Sequence, residues 1–232
     1  MNNIGIIGAM DEEVRQVKAA MNNIQVKTIA TMDFYEGKIE SKDVIIVQSG
    51  IGKVNAAICS QILIDVFQVE GIINTGIAGS LDGRINIGDM VLSVDAIQHD
   101  IDVSAFGHDY GKIPRMDSSI FVADEYMLNK AQLACKKVNP EIEVYSGRIL
   151  SGDQFIQNKN KKAWLESHFN GMCVEMEGAS IAHVASLNKV PFLIIRGISD
   201  KADESAEMDY DQFEEQAIRR SVKLIMELIP NL

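Results

Sequence analysis

The sequence predicts an α/β protein: a single domain with a central, mostly parallel mixed sheet that is flanked by helices. The 232 residues suffice for one large domain, and 47% of them are hydrophobic, which is typical of a globular chain. Strand-length runs alternate with helical stretches, and these runs are apolar throughout. Such strands are buried on both faces, as in a parallel sheet covered by helices. No linker or composition break divides the chain, so we expect one domain over residues 1–232.

The first half of the chain begins this alternation. A buried strand over 4–10 leads into a helix over 11–21, whose acidic first turn suits the helix dipole. Short strands with turns are predicted over 25–48, a long helix over 53–67 and another buried strand over 71–80. The small residues that end this last strand would let a flat ligand approach the backbone closely, but a plain turn is the simpler explanation of the glycines taken alone.

The second half continues the alternation and adds one long irregular segment. Its predicted elements, in order, are a strand over 90–97, the irregular segment over 98–120, a helix over 124–138, a strand over 142–150, a helix over 159–169, a strand ending at residue 174 with a helix behind it, a strand over 191–200 and a closing helix over 209–228. Structureless insertions of this length inside a compact domain are usually functional. The acidic stretch over 203–215 is predicted to form a solvated loop and helix face.

Composition and charge exclude several classes of protein. The formal charge of −11 would repel phosphate backbones and anionic lipid, so neither nucleic acid nor a membrane surface is an expected partner. The three cysteines show no metal-ligand spacing, and their odd number does not suggest a disulfide scaffold. The N-terminal residues show no basic lead or cleavage site, and no apolar run approaches the roughly 18 residues of a membrane span. We therefore expect a soluble, cytoplasmic protein.

Motifs for cofactors and metals are missing from the sequence. Gly50-x-Gly52 lacks the third glycine of the dinucleotide fingerprint, and Lys53 is followed by valine where a P-loop has Ser or Thr. The histidines share no close ligand spacing, and no G-x-S-x-G nucleophile elbow is present. We expect neither a metal nor an organic cofactor.

The stretch over 173–185 carries the clearest functional signal. A short apolar strand ends in Glu175 and Glu177, which flank Met176, and a helix of small residues follows at once. Glu177 would lie at the turn from strand to helix, where peptide N–H groups and the helix dipole hold a carboxylate ionised. Ligands bind at such crevices in open α/β sheets. The alternative is that Glu177 only caps the helix.

Three carboxyl groups at strand ends can converge on one cleft. Asp200 ends the apolar run over 192–198, where desolvation would raise its pKa and keep it protonated. Glu13 and Glu177 lie at helix starts, which favour the charged form. An acid beside ionised carboxylates is what cleavage of a glycosidic bond requires, because one group protonates the leaving group and another activates water. Carboxylates that merely cap helices remain the alternative.

Six segments of the chain together carry a family resemblance. They are Gly8-Ala9-Met10-Asp11-Glu12-Glu13, Ser49-Gly50-Ile51-Gly52-Lys53, Asn74-Thr75-Gly76-Ile77-Ala78-Gly79, Ser151-Gly152-Asp153-Gln154-Phe155-Ile156, Val174-Glu175-Met176-Glu177 and Arg196-Gly197-Ile198-Ser199-Asp200. In this order they resemble the bacterial 5′-methylthioadenosine/S-adenosylhomocysteine nucleosidases, hydrolases of the nucleoside phosphorylase superfamily. The resemblance covers nearly the whole chain.

The resemblance implies a fold and a reaction. The fold would be nucleoside phosphorylase-like. The enzyme would release adenine from 5′-methylthioadenosine, S-adenosylhomocysteine and 5′-deoxyadenosine, in methionine salvage and the activated-methyl cycle. Asp200, positioned by Ser199, would protonate or hydrogen-bond N7 of adenine. Glu13 would activate the attacking water, and Glu177 would bind the ribose hydroxyls.

The resemblance also implies a pocket wall and a second subunit. The substrate-binding residues would be Met10, Ile51, Ala78, Gly79, Phe155, Ile156 through its backbone, Met176, Arg196 behind the wall, and Tyr210 near the 5′-alkylthio group. Residues reaching into the site of a neighbouring subunit would be Val103, Phe106, His108 and Pro114, so a homodimer is implied. Tyr210 and His108 depart from the family, which commonly has phenylalanine and often tyrosine at these positions.

Two other functions compete with hydrolysis. Relatives in the superfamily use phosphate in place of water, and a phosphate pocket needs arginines at the loop after the first strand. That loop contains three acidic residues, and the nearest arginine is Arg15, so water is the favoured nucleophile. A nucleoside-binding sensor without turnover would need only the apolar pocket, and the presence of both Asp200 and Glu13 argues against it.

Overall fold

The computed structural model describes residues 1–203 and 205–232, except for the side chains at positions 207, 208 and 211. Within this part of the chain, ten β-strands join one mixed sheet and six α-helices flank it. The predicted α/β class with a mixed sheet is confirmed.

The strands and helices are numbered in chain order. The strands are β1 (Asn3–Gly8), β2 (Asn22–Ile29), β3 (Met32–Ile39), β4 (Lys42–Gln48), β5 (Gly71–Ser80), β6 (Met90–Gln98), β7 (Ile120–Val122), β8 (Val144–Ser151), β9 (Cys173–Glu175) and β10 (Phe192–Asp200). The helices are α1 (Asp11–Ala19), α2 (Lys53–Asp65), α3 (Glu125–Val138), α4 (Lys159–Phe169), α5 (Gly178–Asn188) and α6 (Ala206–Leu228).

The centre of the sheet is parallel. Strands β4, β1, β5 and β10 lie side by side and run in the same direction. Every residue of β10 is buried, as expected for a strand covered on both faces. Because parallel strands end at the same edge of a sheet, the chain leaves β1 at Gly8 and β10 at Asp200 on one side of the molecule.

The outer strands close a ring that the sequence did not predict. Strand β10 pairs with β6 as well as with β5, and β8 and β9 complete the circle back to β5. On the other side of β1, strands β4, β3 and β2 form an antiparallel extension. Hydrophobic periodicity shows that a strand is buried but not which strands pair, so the ring could not be inferred from it.

A close approach at the carboxyl edge depends on Gly79. This residue pairs with Asp200 of β10 and with Val174 of β9. The β5–β10 register shifts between Ile198 and Asp200, an irregularity of the kind that redirects side chains at functional sites. A Cβ atom on residue 79 would lie 2.6 Å from Oδ1 of Asp200, so only glycine fits here without displacement.

Most predicted elements are found close to their expected positions. Helix α3 begins where the side chain of Asp124 accepts a hydrogen bond from the N–H of Met127 at 2.9 Å, a typical N-cap. The irregular segment over 98–120 contains one 3₁₀ turn, Ser104–Phe106. It leads into β7, which the sequence did not predict. The closing helix starts at Ala206, earlier than the predicted residue 209.

The acidic stretch over 203–215 is only partly described. Residue 204 and the side chains at 207 and 211 lie outside the described part of the chain. Glu215 is exposed, as predicted for a solvated face, whereas Asp203, Asp209 and Glu214 are half-buried. None of the helices in the described residues combines the length and the apolar character needed to cross a bilayer.

Candidate active site

A cavity of about 440 Å³ opens at the carboxyl edge of the central strands. Its wall is mostly apolar, with a few acidic groups directed into it. The lining residues are Ala9, Met10, Glu13, Ile51, Ile77, Ala78, Gly79, Phe155, Val174, Glu175, Met176, Glu177, Ser199, Asp200 and Tyr210. An apolar cavity with a few convergent polar groups is the usual form of a small-molecule site.

Asp200 lies at the end of β10 and is almost fully buried. The hydroxyl of Ser199 donates to its Oδ2 at 2.9 Å, and the N–H of Ala202 donates to its Oδ1 at 2.7 Å. Burial raises the pKa of Asp200 more than these two hydrogen bonds lower it. The predicted direction of this pKa shift is confirmed, and the proton is retained to higher pH than on a free aspartate.

Glu13 is held in the first turn of α1 by the loop that follows β1. Its Oε2 accepts hydrogen bonds from the N–H groups of Ala9 at 2.6 Å and Met10 at 3.0 Å. Burial raises the pKa of Glu13, against the opposing effects of the Arg196 charge and these backbone donors. A Cβ atom on Gly76 would lie 2.7 Å from Oε1 of Glu13, so the β5 backbone packs directly against this carboxyl group.

Glu177 is the N-cap residue of α5, but its side chain does not cap that helix. Its Oε1 instead accepts a hydrogen bond from the N–H of Gly52, at the start of α2, at 2.7 Å. The alternative that Glu177 only caps α5 is therefore wrong. Burial and the neighbouring charge of Glu175 raise the pKa of Glu177 to about 7.

The predicted preference of helix starts for the charged forms of Glu13 and Glu177 meets an opposing effect in the structure. Each has a raised pKa, because the cavity wall removes water from the carboxyl group. Desolvation outweighs the helix dipole at these two positions.

Glu175 is the functional residue that the sequence analysis missed. Its Oε2 accepts hydrogen bonds from the N–H groups of Glu177 at 3.1 Å and Gly178 at 2.7 Å, so Glu175 caps α5. It also binds the guanidinium of Arg196 and the hydroxyl of Ser151. Its adjacency to Met176 and Glu177 was visible in the sequence, but the sequence did not reveal which acidic residue faced the helix.

Arg196 lies behind the cavity wall, as predicted, and does not line it. Besides Glu175, its guanidinium donates to the carbonyl of Ile195 at 2.9 Å and to the side-chain oxygen of Asn74. Buried between the acidic residues, the guanidinium offsets part of their negative charge.

Aromatic side chains border the cavity on its open side. The rings of Phe155 and Tyr210 meet edge to face with centroids 6.2 Å apart. The Tyr210 hydroxyl lies 3.0 Å from Oε1 of Glu214 and 3.4 Å from the sulfur of Met10. Burial and the hydrogen bond with Glu214 raise the pKa of Tyr210, so its hydroxyl stays protonated at neutral pH.

A few predicted site residues do not reach the cavity of this chain. The side chain of Ile156 is buried in a separate apolar cluster with Leu81 and Leu165, and Ile156 does not line the cavity. Val103, Phe106, His108 and Pro114 all lie on the irregular segment, and none lines the cavity. Phe106 is 84% exposed.

Further lining residues were not predicted. Ala9, Ile77 and Val174 also line the cavity. They are adjacent in sequence to Met10, Ala78 and Glu175, and this adjacency is the signal from which they could have been predicted. Among the described residues, no three His, Cys, Asp or Glu side chains form a group that could hold a metal ion.

The fold and the cavity are those of a small-molecule-binding α/β protein, and comparison with known proteins identifies its family. The sequence model of the phosphorylase superfamily matches residues 3–230, so the chain belongs to that superfamily. Within it, the chain is 42% identical over 233 residues to the 5′-methylthioadenosine/S-adenosylhomocysteine nucleosidase of Halalkalibacterium halodurans, with 100% of both chains covered. It is accordingly a member of the 5′-methylthioadenosine/S-adenosylhomocysteine nucleosidase family.

Solved structures agree with this assignment. The Neisseria meningitidis nucleosidase of this name, in complex with methylthio-immucillin-A, superposes with a TM-score of 0.96 at 34% identity and full coverage of both chains. The Colwellia psychrerythraea nucleosidase, in complex with adenine, superposes with a TM-score of 0.95 at 35% identity, covering 100% of this chain and 96% of the other. The predicted family is confirmed.

Proposed function

We propose that this chain hydrolyses the N-glycosidic bond of 5′-methylthioadenosine and S-adenosylhomocysteine and releases adenine. Its relatives bear the names of enzymes for these two substrates, and one structural neighbour is a complex with adenine. The observation that carries the proposal is that Asp200, Glu13 and Glu177 all line one otherwise mostly apolar cavity.

In the proposed mechanism, Asp200 delivers a proton to N7 of the leaving adenine. Its buried position supports this role, since the raised pKa keeps the carboxyl group protonated to higher pH. The hydroxyl of Ser199 fixes the orientation of the group. As the bond to N9 breaks, adenine departs as a neutral base, and positive charge develops on the ribose ring.

Glu13 is proposed to accept a proton from the attacking water, and Glu177 to accept hydrogen bonds from the ribose hydroxyls. The carboxylate of Glu13 borders the cavity, so its negative charge faces the developing oxocarbenium ion. The raised pKa of Glu13 makes its carboxylate a stronger base than a free glutamate.

The remaining lining residues are proposed to bind the substrate without reacting. Phe155, Met176, Ala78 and Gly79 would enclose the base and sugar, and the backbone of Ile156 would hydrogen-bond adenine. Ile51, Met10 and Tyr210 would surround the 5′-alkylthio group, for which thioether and aromatic side chains are suitable neighbours.

Water is a better nucleophile than phosphate in this site. Arg15 is exposed and pairs with Asp11 at 2.6 Å, and Arg196 is bound to Glu175. The lining residues within the described part of the chain include no lysine or arginine. An anion would therefore enter an acidic cavity without a cationic partner.

The assembly and location are part of the same proposal. We propose that residues 1–232 act as one nucleosidase domain in a cytoplasmic homodimer. Val103, Phe106, His108 and Pro114 would complete the site of the partner subunit. Phe106 is exposed and therefore accessible for such a contact.

The test is to incubate the protein with 5′-methylthioadenosine, with and without phosphate, and to identify both products. We expect adenine and free 5-methylthioribose at a rate that does not depend on phosphate. Formation of methylthioribose-1-phosphate would show phosphorolysis instead, and tight binding without adenine release would indicate a sensor.

A further inference from the structure

Lys53, the first residue of α2, joins segments that border the cavity. Its ammonium donates to Oδ1 of Asp100 at 2.6 Å and to the side-chain oxygen of Gln98 at 3.1 Å, at the end of β6. Its backbone N–H donates to Oδ1 of Asp153 at 2.9 Å, in the loop that follows β8. One residue therefore contacts the ends of two strands that neighbour each other in the sheet.

Asp153 closes this group of contacts into a ring. Its own N–H donates to Oδ2 of Asp100 at 3.0 Å, so that Lys53, Asp100 and Asp153 are linked pairwise. We refer to these three residues as the Lys53 bridge. Only 18% of the Lys53 side chain and 16% of the Asp100 side chain are exposed, so solvent and salt screen this pair less than a surface pair.

The charges of the bridge depend on Lys53. Burial acts to raise the pKa of Asp100, but the hydrogen bonds from Lys53 and from the N–H of Asp153 outweigh it and lower that pKa. Two carboxylates are thus held close together by one ammonium group and two peptide N–H groups. Without the ammonium, the carboxylates would repel each other and the two segments would separate.

Two segments of the bridge, the start of α2 and the loop after β8, are connected directly to residues of the cavity. Gly52 immediately precedes Lys53, and its N–H donates to Oε1 of Glu177. Phe155, on the cavity wall, follows Asp153 by two residues in the loop after β8. The position of the bridge therefore fixes both the start of α2 and the loop after β8.

We propose that Lys53 is a positioning residue that holds Glu177 and Phe155 against the bound nucleoside. This inference rests on the proposed function, which assigns these two side chains to the ribose and the base. Lys53 does not line the cavity, so it acts through the segments that it joins.

The two reacting carboxyl groups are anchored independently of the bridge. Glu13 is held by the N–H groups of Ala9 and Met10, and Asp200 by Ser199 and Ala202. Loss of the bridge should therefore weaken substrate binding while the reacting groups keep their geometry. Such a change raises KM and leaves kcat nearly unaltered.

The experiment compares K53M with the wild type, K53R and the matched control K38M. Lys38 forms an equally short pair with Asp43, at 2.6 Å, on the exposed surface of β3 and β4. For K53M we expect KM for 5′-methylthioadenosine to rise about tenfold, which corresponds to about 1.4 kcal/mol of binding, with kcat within about threefold of the wild type. The KM of K53R should lie close to the wild-type value, and K38M should match the wild type.

The double variant K53M/D100N tests the electrostatic cause. Removing the unpaired carboxylate should relieve the repulsion and bring KM closer to the wild-type value than in K53M alone. The inference is overturned if K53M leaves KM unchanged, if K53R fails to recover it, or if the double variant is as impaired as K53M. If K53M does not fold, D100N alone provides the same comparison of KM and kcat.

A measurement of adenine binding separates this inference from the proposed function. Calorimetry gives the Kd for adenine in each variant without any turnover, and Kd should rise in K53M if the loop of Phe155 has moved. A wild-type protein that releases no adenine from the substrate would refute the proposed function. An unchanged adenine Kd in K53M would refute the role of Lys53 in either case.

Discussion

Burial shifts the pKa values of Glu13 and Glu177 more strongly than their position at helix starts does. A helix terminus contributes about 0.3–1 kcal/mol to an adjacent charge, whereas desolvation of a buried ion costs several kcal/mol. Glu13 and Glu177 both follow a strand and begin a helix, yet both have a raised pKa, as Asp200 does. The pKa of each carboxyl group therefore depends mainly on how deeply that group is buried.

The raised pKa of Glu177 has a consequence for stability. Its pKa is about 7 in the folded protein and near its ordinary value of 4.5 in the unfolded chain. Between these two pKa values only the folded state binds the proton. The contribution of protonated Glu177 to the free energy of unfolding is therefore complete below the unfolded pKa and is lost as pH rises through about 7. The loss is on the order of 3 kcal/mol.

Urea denaturation of the wild type and E177Q over this pH range measures the effect. The free energy of unfolding of the wild type should fall with rising pH more steeply than that of E177Q, because glutamine cannot ionise. E177Q should accordingly be the more stable protein at pH values above the folded pKa. Asp200 titrates in both proteins, so the difference measures the titration of Glu177 together with its interaction with Glu175 and Glu13. Parallel curves would show that the Glu177 carboxyl group has no such shift.

At the scale of the elements, the turn from β9 into α5 needs both of its carboxylates. Glu175 caps α5 and binds Arg196, which leaves Glu177 free to accept from Gly52 across the cavity. The sequence predicted the turn and the helix, with capping by Glu177 only as an alternative, and it did not identify Glu175 as the cap. Which side chain turns inward depends on the position of Arg196 in β10, and this is a tertiary contact that local pattern does not encode.

The contact between β5 and β10 gives a second prediction. In G79A the added methyl group would lie 2.6 Å from Oδ1 of Asp200 and 2.9 Å from Cβ of Ala202. We expect kcat to fall at least about tenfold as Asp200 is displaced, with a loss of about 1–3 kcal/mol in the free energy of unfolding from overpacking.

The matched control for this contact is G83A. No atom outside its immediate neighbours lies within 4 Å of a Cβ at residue 83, so kcat and stability should stay close to the wild type. Adenine release and urea denaturation of both variants provide the comparison. Wild-type kcat in G79A would mean that Asp200 tolerates displacement or does not take part in the reaction.

At the scale of the whole molecule, the elements were more predictable than their pairing. Strands such as β10 and helices such as α4 follow from apolar runs and caps, and were placed nearly at their observed bounds. The ring through β6, β8 and β9 and the short strand β7 depend on contacts between distant segments, so local pattern did not predict them. The same holds for Ile156, whose side chain turns into a second apolar cluster.

The carboxyl residues of the site were predictable for a related reason. Glu13 and Asp200 follow β1 and β10, which run parallel to β5 and so end at one edge of the sheet. Glu177 follows β9, which runs antiparallel to β5, so the turn from β9 into α5 brings it to the cavity and the rule for parallel strands does not. The cavity combines the retained proton of Asp200 with the carboxyl oxygen atoms of Glu13 and Glu177. The proposed cleavage depends on both kinds of group.

The most direct test of the account is adenine release from 5′-methylthioadenosine by D200N in a single turnover. D65N, which alters an exposed aspartate at the end of α2, is the control and should match the wild type. We expect D200N to fold normally and to bind the substrate, while its rate falls by about 10²–10⁴-fold, the contribution typical of a general acid. A D200N variant that releases adenine at the wild-type rate would contradict the central claim that Asp200 supplies the proton to the purine.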